Sequence, residues 1–192
     1  MEFGLENRII GITGDTARNM SNALKILKQS MHIKVVRGCA AHVLNLVVSA
    51  GNAVFRDVVY KVREFVRLLH SSETVLRQWR EILEFKGMPL RTSIPQEVAT
   101  RWNSTFLMLS AYFKHLDIVN ATLVEEDYDL LLNDNERLML ERLHNFLTPF
   151  YQATVSFSKT SFPSLGKVIL VTDHLASIMV QEQKELDLST AQ

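Results

Sequence analysis

The chain has 192 residues, of which 47% are hydrophobic and 22% are charged. This size and composition are typical of one folded domain, or of one domain with an inserted lobe, and they exclude disordered and low-complexity proteins. The 21 basic and 21 acidic residues cancel, which excludes a uniformly basic nucleic-acid-binding coat, and the single cysteine allows no intramolecular disulfide.

The first 54 residues are predicted to form a strand, a helix, a second strand and a second helix. Residues 8–13 are a short β-branched run that ends at Gly14-Asp15, which predicts a strand followed by a helix cap. A second strand is predicted over 33–36 and an apolar helix over 40–54. Because two strands do not form a stable sheet alone, we expect a slice of a larger α/β sheet.

From residue 55 onward, the apolar spacing predicts only helices, so the fold class is mostly α with a small α/β part. A connector is expected over 87–95, an acidic turn or short helix over 125–134, and a kink or break at Pro149. No apolar run approaches the roughly 18 residues that suggest a membrane span. The predicted helices lie at 58–69, at 75–83 behind a Ser71-Ser72 cap, at 100–123, at 135–157 and from 162 to about 182.

Asp15 is the first candidate site residue, because it follows the first predicted strand. Ligands of α/β sheets bind at the carboxyl ends of strands, and a carboxylate placed there can bind Mg²⁺. The alternative, which the spacing alone favours, is that Asp15 caps the following helix.

Cys39 and His42 form a Cys-x-x-His pair at the start of the second predicted helix. A structural zinc ion needs four ligands, and His32 is the only other donor nearby, so we do not expect a closed zinc site. The alternative is a buried thiol beside a histidine in the first helical turn.

Arg101 and Trp102 offer a cation next to a stacking face, which suits an unpaired or flipped base. The alternative is that Trp102 lies in the core of an amphipathic helix, as most tryptophans do. Residues 1–114 carry 16 basic and 9 acidic residues, whereas residues 115–192 carry 5 and 12. This asymmetry indicates that the first part of the chain faces a polyanion.

Three segments together resemble the hAT superfamily of DNA transposases, in particular its BED-zinc-finger, Ricesleeper-type members. They are IIGITGDTARNMSNALK (9–25), CAAHVLNLVVSA (39–50) and ATRWNSTFLML (99–109), and residues 147–168 resemble the family's later RNase H-fold segment. The resemblance implies an RNase H-like fold interrupted by a helical insertion. The implied domains are a partial RNase H-like segment (1–54), a helical insertion (55–146) and an incomplete RNase H-fold segment (147–192).

The resemblance also implies roles for the candidate residues. Intact members hold two metal ions with an Asp-Asp-Glu set, in which Asp15 would be the second carboxylate. Cys39 and His42 match a pair near that active site, and Trp102 of the Arg101-Trp102 pair is implied to stack on a flipped base. The chain departs from the family in the residues around Asp15, and it holds one of the three carboxylates and no BED zinc finger.

We therefore expect a transposase-derived fragment that binds DNA weakly and in a salt-dependent way. We expect no autonomous catalysis. No cofactor is expected for this chain, whereas the intact family uses Mg²⁺. No membrane and no small-molecule substrate are expected, and the location implied by the resemblance is the nucleus, with the cytoplasm as the default otherwise. One alternative is a helical protein–protein interaction module that binds an intact transposase or itself. Others are an excerpt of an active Mg²⁺-dependent transposase and a reading frame without a selected function.

Overall fold

The computed structural model describes residues 9–15, 17–52, 55–98, 101–125, 129–158 and 170–180. These residues form two strands and eight helices, which confirms the predicted class, mostly α with a small α/β part. The chain divides into two compact units: unit 1 comprises Met1–Val47 and Gln152–Gln192, and unit 2 comprises Val48–Tyr151. The elements are β1 (Gly11–Gly14), α1 (Arg18–Ser30), β2 (Val35–Gly38), α2 (Ala40–Asn52), α3 (Arg56–Ser71), α4 (Glu73–Phe85), α5 (Trp102–Lys114), α6 (Leu116–Glu125), α7 (Asp134–Ser158) and α8 (170–180).

Unit 1 contains a β-α-β arrangement, in which β1 and β2 are parallel and α1 connects them. The register pairs Gly11 with Val35 and Gly14 with Gly38. At Gly14 the helix comes so close that an added Cβ would lie 2.8 Å from Met20 Cγ and 2.9 Å from Leu24 Cδ1. Glycine at position 14 therefore lets the apolar side of α1 pack on the sheet.

Unit 2 is helical, and it contains most of the buried hydrophobic side chains among the described residues. The apolar stripe predicted over 58–69 is buried in α3. Phe65 lies at the centre of an aromatic cluster, with its ring 6.1 Å from the ring of Trp79 and 6.2 Å from the ring of Tyr112. Ser72 caps α4 as predicted, because its Oγ accepts a hydrogen bond from the backbone N–H of Val75.

The prediction of one helix over 100–123 is wrong, because His115 separates α5 from α6. The His115 backbone has φ −118° and its N–H lies 3.2 Å from the carbonyl oxygens of both Ala111 and Tyr112, which ends α5. Its own carbonyl accepts hydrogen bonds from Ile118 and Val119, which begins α6. The imidazole is 6% exposed and meets Trp79 edge-on at 6.3 Å, so tertiary packing and not a glycine or proline sets this boundary.

Pro149 lies inside α7 and does not break it, since the helix runs from Asp134 to Ser158. The side chains of Leu147 and Phe150, next to Pro149, are fully buried. Their packing compensates for the backbone hydrogen bond that proline cannot donate, so the helix continues through this position. None of the helices in the described ranges is long and apolar enough to cross a membrane. The start of the predicted last helix, the end of that helix and the C-terminal tail lie outside the described residues.

Candidate nucleic-acid interface

Arg101 is exposed and immediately precedes α5 in unit 2. Its backbone is extended, with φ −134° and ψ 97°, and its N–H donates to the carbonyl of Val98 at 2.8 Å. The Arg101 carbonyl accepts a hydrogen bond from the Ser104 N–H at 2.9 Å. Backbone hydrogen bonds on both sides therefore fix the place from which the guanidinium extends.

Ser104 closes the turn around Arg101. Its Oγ accepts from the Val98 N–H at 2.8 Å, and it lies within donating distance of the carbonyls of Val98, at 3.0 Å, and Arg101, at 2.6 Å. A serine side chain that bonds to nearby backbone groups in this way, with its one hydroxyl hydrogen available to either carbonyl, is typical of a turn that competes with helix geometry.

Glu97 ties the same segment to α3. The Arg63 guanidinium donates to both carboxylate oxygens, with Nη2 2.9 Å from Oε1, and the Thr105 hydroxyl also donates to Oε1. Burial alone raises the pKa of Glu97, but the hydrogen bonds from Arg63 and Thr105 outweigh it and hold that pKa below its ordinary value. The carboxylate is therefore charged, and it bridges α3, the connector and α5.

The connector before Arg101 is held by two further contacts. Trp79 donates its indole N–H to the carbonyl of Thr92 at 2.9 Å, and His70 Nε2 lies 2.8 Å from the carbonyl of Ile94, to which it donates. Ile94 is completely buried. The described part of the connector, which ends at Val98, is thus held against α3 and α4.

Trp102 is 5% exposed and lies in the core with Phe106 and Leu109. The indole ring of Trp102 is thus buried in this structure, whereas the neighbouring Arg101 is exposed to solvent. Stacking of Trp102 on a base therefore requires the ring to become uncovered, and that role stays a prediction.

Asn103 carries a buried side-chain oxygen, Oδ1, that has no hydrogen-bond partner among the described residues. An unsatisfied buried acceptor costs about 1–3 kcal/mol, so native proteins contain few of them. Its position beside Arg101 places an energetically costly group in the same segment as the candidate contact.

Asp15 and Cys39 lie at the same end of the sheet in unit 1, after the last paired residues of the two strands. They directly follow the paired residues Gly14 and Gly38, and the Cys39 N–H donates to the Gly14 carbonyl at 2.6 Å. The Asp15 carboxylate accepts a hydrogen bond from the Ala17 N–H at 3.0 Å, just before α1. Asp15 thus supports the entry to the helix, although the cap position itself belongs to Ala17.

Cys39 and His42 lie at the N-terminus of α2, where the Cys39 carbonyl accepts the first helical hydrogen bond, from Val43. Both side chains are partly exposed. Within the described ranges, no three His, Cys, Asp or Glu side chains come together in a way that could hold a metal ion. Asp15 alone does not fit a Mg²⁺ site, because Mg²⁺ takes several oxygen ligands in near-octahedral geometry.

The structure thus distributes the predicted site residues over both units, with Asp15, Cys39 and His42 in unit 1 and Arg101 and Trp102 in unit 2. Sequence reasoning missed Arg63, Glu97 and Asn103. Glu97 and Arg63 are 34 positions apart, and no local spacing rule pairs residues at that separation. Asn103 could have been considered from the sequence, because it directly follows the Arg101-Trp102 pair.

A family model, the ZBED1 RNase-like helical domain, matches residues 37–146. The "Putative AC transposase" of Zea mays is 32% identical over 130 residues, which are 65% of this chain and 16% of that protein. The "Zinc finger BED domain-containing protein RICESLEEPER 3" of Oryza sativa subsp. japonica is 26% identical over 165 residues, 79% of this chain and 22% of that protein.

The "Putative transcriptional regulator tpeD" of Talaromyces stipitatus is 22% identical over 218 residues, which cover 96% of this chain and 26% of that protein. The chain therefore spans about a sixth to a quarter of the length of these three relatives. No solved structure matches the chain.

Proposed function

Because the chain belongs to the family of the ZBED1 RNase-like helical domain, whose relatives here include transposases, we propose that it binds DNA through Arg101. The observation that carries the proposal is an exposed arginine on a segment that Glu97 and Ser104 hold in place. A contact group that is already ordered loses less entropy when it binds. A guanidinium also matches the geometry of a phosphate group, to which it can donate two hydrogen bonds.

Two further features support DNA as the ligand. Arg101 lies at the N-terminus of α5, where the helix dipole adds positive potential for an anion. Two of the relatives are named as a BED zinc-finger protein and a transcriptional regulator, which are DNA-associated and nuclear classes. We extend both inferences, DNA binding and nuclear location, to this chain as part of the proposal.

Strand cleavage is not part of the proposal. Among the described residues, Asp15 belongs to no group of three or more His, Cys, Asp or Glu side chains that could hold a metal ion. The proposed activity is binding, and the packing of Trp102 behind Arg101 gives the contact a rigid base.

The test measures binding of the 192-residue chain to a labelled DNA hairpin with a single-stranded flank. Arg101→Gln is compared with Arg80→Gln, which removes an exposed cation from α4 in the same unit. We expect Arg101→Gln to weaken binding roughly tenfold and to lower the salt slope by about 1, and Arg80→Gln to change neither. Equal binding by the two variants would remove Arg101 from the interface.

Trp102 is tested separately by tryptophan fluorescence. If the ring leaves the core and stacks on a base, single-stranded DNA quenches emission in the wild-type chain, and Trp102→Phe abolishes that quenching. If DNA binds without quenching, Trp102 serves as packing only, and Arg101 acts without a stacking partner.

A second candidate function is protein–protein interaction through unit 1. Within the described ranges, β1 and β2 pair only with each other, so each strand has an edge without a ladder partner. Ile26 and Leu46 are 65% and 50% exposed. Light scattering on a sizing column tests this candidate: a concentration-dependent dimer supports it, and a monomer at all concentrations contradicts self-association.

A further inference from the structure

Most of the positive charge of unit 1 lies in one stretch that contains no acidic residue. Between Asp15 and Asp57 the sequence has six basic residues and no Asp or Glu. Neither composition nor net charge reveals this stretch, because acidic residues elsewhere in the chain cancel it. The six basic residues are Arg18, Lys25, Lys28, Lys34 and Arg37 in unit 1 and Arg56 in unit 2.

Helix α1 places part of this charge on one outward side. Met20 and Leu24 pack over Gly14, so that side of the helix is occupied by the sheet. Arg18 and Lys25 are two turns apart and both exposed, about 10 Å from each other along the axis. At roughly 100° per residue they point away from the Met20 side.

The residues on this outward side of α1 all carry side-chain groups that can donate hydrogen bonds to phosphate oxygens. Arg18, Asn22, Lys25 and Gln29 are exposed and are spaced by four, three and four residues, the repeat of one helix face. Lys28 on its flank and Lys34 in the loop before β2 are also exposed.

These cations have no carboxylate partner among the described residues. The ion pairs of the described ranges all lie in unit 2, as between Lys61 and Glu136 or Lys86 and Asp117. In unit 2 the basic side chains are partly neutralised by their own chain, whereas on α1 they are available to an external polyanion.

We propose that the outer side of α1, which Arg18, Asn22, Lys25 and Gln29 form, is a second DNA-binding surface that contacts the phosphates of duplex DNA without reading sequence. The identity of the polyanion rests on the proposed function, but the residues are separate from Arg101. Duplex DNA offers one negative charge per roughly 1.7 Å of axis, which a stripe of cations and side-chain amide donors can follow. The four residues of this surface are polar, so duplex DNA, which needs no apolar contact, is the favoured polyanion. An anionic membrane would also have to take up the exposed Ile26 of α1, and binding to it is an outcome of the test below.

The experiment compares two double variants of the full chain with equal charge loss. Arg18→Gln/Lys25→Gln changes the α1 surface, and Arg80→Gln/Arg142→Gln removes two exposed cations from unit 2. Binding to a random-sequence duplex is measured between low and physiological salt. We expect the α1 double variant to bind roughly tenfold more weakly, with a salt slope lower by about 2, and the control double variant to stay within about twofold of wild type.

Circular dichroism and thermal unfolding first establish that both double variants keep the wild-type fold, as substitutions of exposed residues do. If the α1 variant then binds duplex DNA like its control, the α1 surface is not a DNA site and the inference is overturned. Loss of binding to phosphatidylserine vesicles, with duplex binding unchanged, would overturn it in favour of a lipid surface.

Arg101→Gln separates this inference from the proposed function. If Arg101→Gln weakens binding and the α1 variant does not, only the α1 surface fails. If the α1 variant weakens binding and Arg101→Gln does not, the inference stands and the Arg101 site fails. Absence of any salt-dependent DNA binding by the wild-type chain overturns both.

Discussion

The described parts of the two units differ in how many apolar side chains they bury and in how their charges are paired. Unit 2 buries an aromatic cluster around Phe65, pairs many of its charges within the chain, and fixes its connector with Glu97 and Trp79. Unit 1 has a two-stranded sheet, apolar side chains such as Ile26 and Leu46 exposed to solvent, and basic side chains on α1 without carboxylate partners among the described residues.

This difference indicates where stability and where binding capacity reside. A domain is stable when apolar burial exceeds the conformational entropy that is lost, and unit 2 has the contacts for this. Among the described residues, unit 1 has fewer buried side chains than unit 2, so more of that described surface is left for other molecules. Three substitutions test this division, each with a matched control.

The largest expected effect is the removal of Trp79 from the core of unit 2. Trp79→Ala deletes a side chain that is 1% exposed and leaves the Thr92 carbonyl without its donor, so we expect a loss of about 3–5 kcal/mol in the free energy of unfolding. The control is Leu46→Ala in α2, where the side chain is 50% exposed and a loss below about 1 kcal/mol is expected. Urea unfolding measures both, and equal losses would contradict the division.

The second effect concerns the close packing of α1 on the sheet of unit 1. Gly14→Ala places a Cβ 2.8 Å from Met20 Cγ, and overpacking of this kind costs about 1–3 kcal/mol. Gly38→Ala, at the paired position of β2, meets nothing nearer than Val43 Cγ2 at 4.0 Å and should be close to neutral. Thermal unfolding distinguishes the two, and a neutral Gly14→Ala would show that α1 is not held at Gly14.

The smallest effect is the pH dependence that Glu97 contributes to unit 2. Since its pKa is lowered in the folded state, the unfolded chain binds the proton first as pH falls, and stability decreases below the ordinary value of 4.5. Above that pH the contribution is fully present.

Glu97→Gln removes this contribution. We expect a loss of about 1–2 kcal/mol at neutral pH and a flatter stability profile as the pH falls below 4.5. Chemical unfolding at several pH values measures both, with Glu81→Gln, an exposed residue of α4, as control. An unchanged profile would mean that the pair with Arg63 does not stabilise the segment before Arg101.

The regular parts of the fold were predictable because their periodicity is local. The stripe on α3, the Ser72 cap and both strands follow from spacing and composition. Asn133 and Glu136 form a capping box at the start of α7, which the Asn-x-x-Glu spacing could also have predicted.

The remaining features depend on contacts that spacing does not encode. The break at His115 comes from the packing of its ring on Trp79, 36 positions away in sequence, and helix propensity gives no sign of it. The hydrogen bonds from Arg63 to Glu97 join residues of α3 and the connector in the same way. Of the candidate residues, Arg101 lies at the surface, whereas Trp102 is buried, as the alternative interpretation of its sequence expected.

The stretch without acidic residues between Asp15 and Asp57 has a kinetic consequence. Charges that are not cancelled locally attract an oppositely charged partner before contact, over about a Debye length, which is roughly 8 Å at physiological salt. If α1 acts this way, neutralising Arg18 and Lys25 lowers mainly the rate at which DNA arrives, whereas replacing Arg101 mainly raises the rate at which it leaves. One part of the chain would then govern how often DNA is encountered and the other how long it is kept.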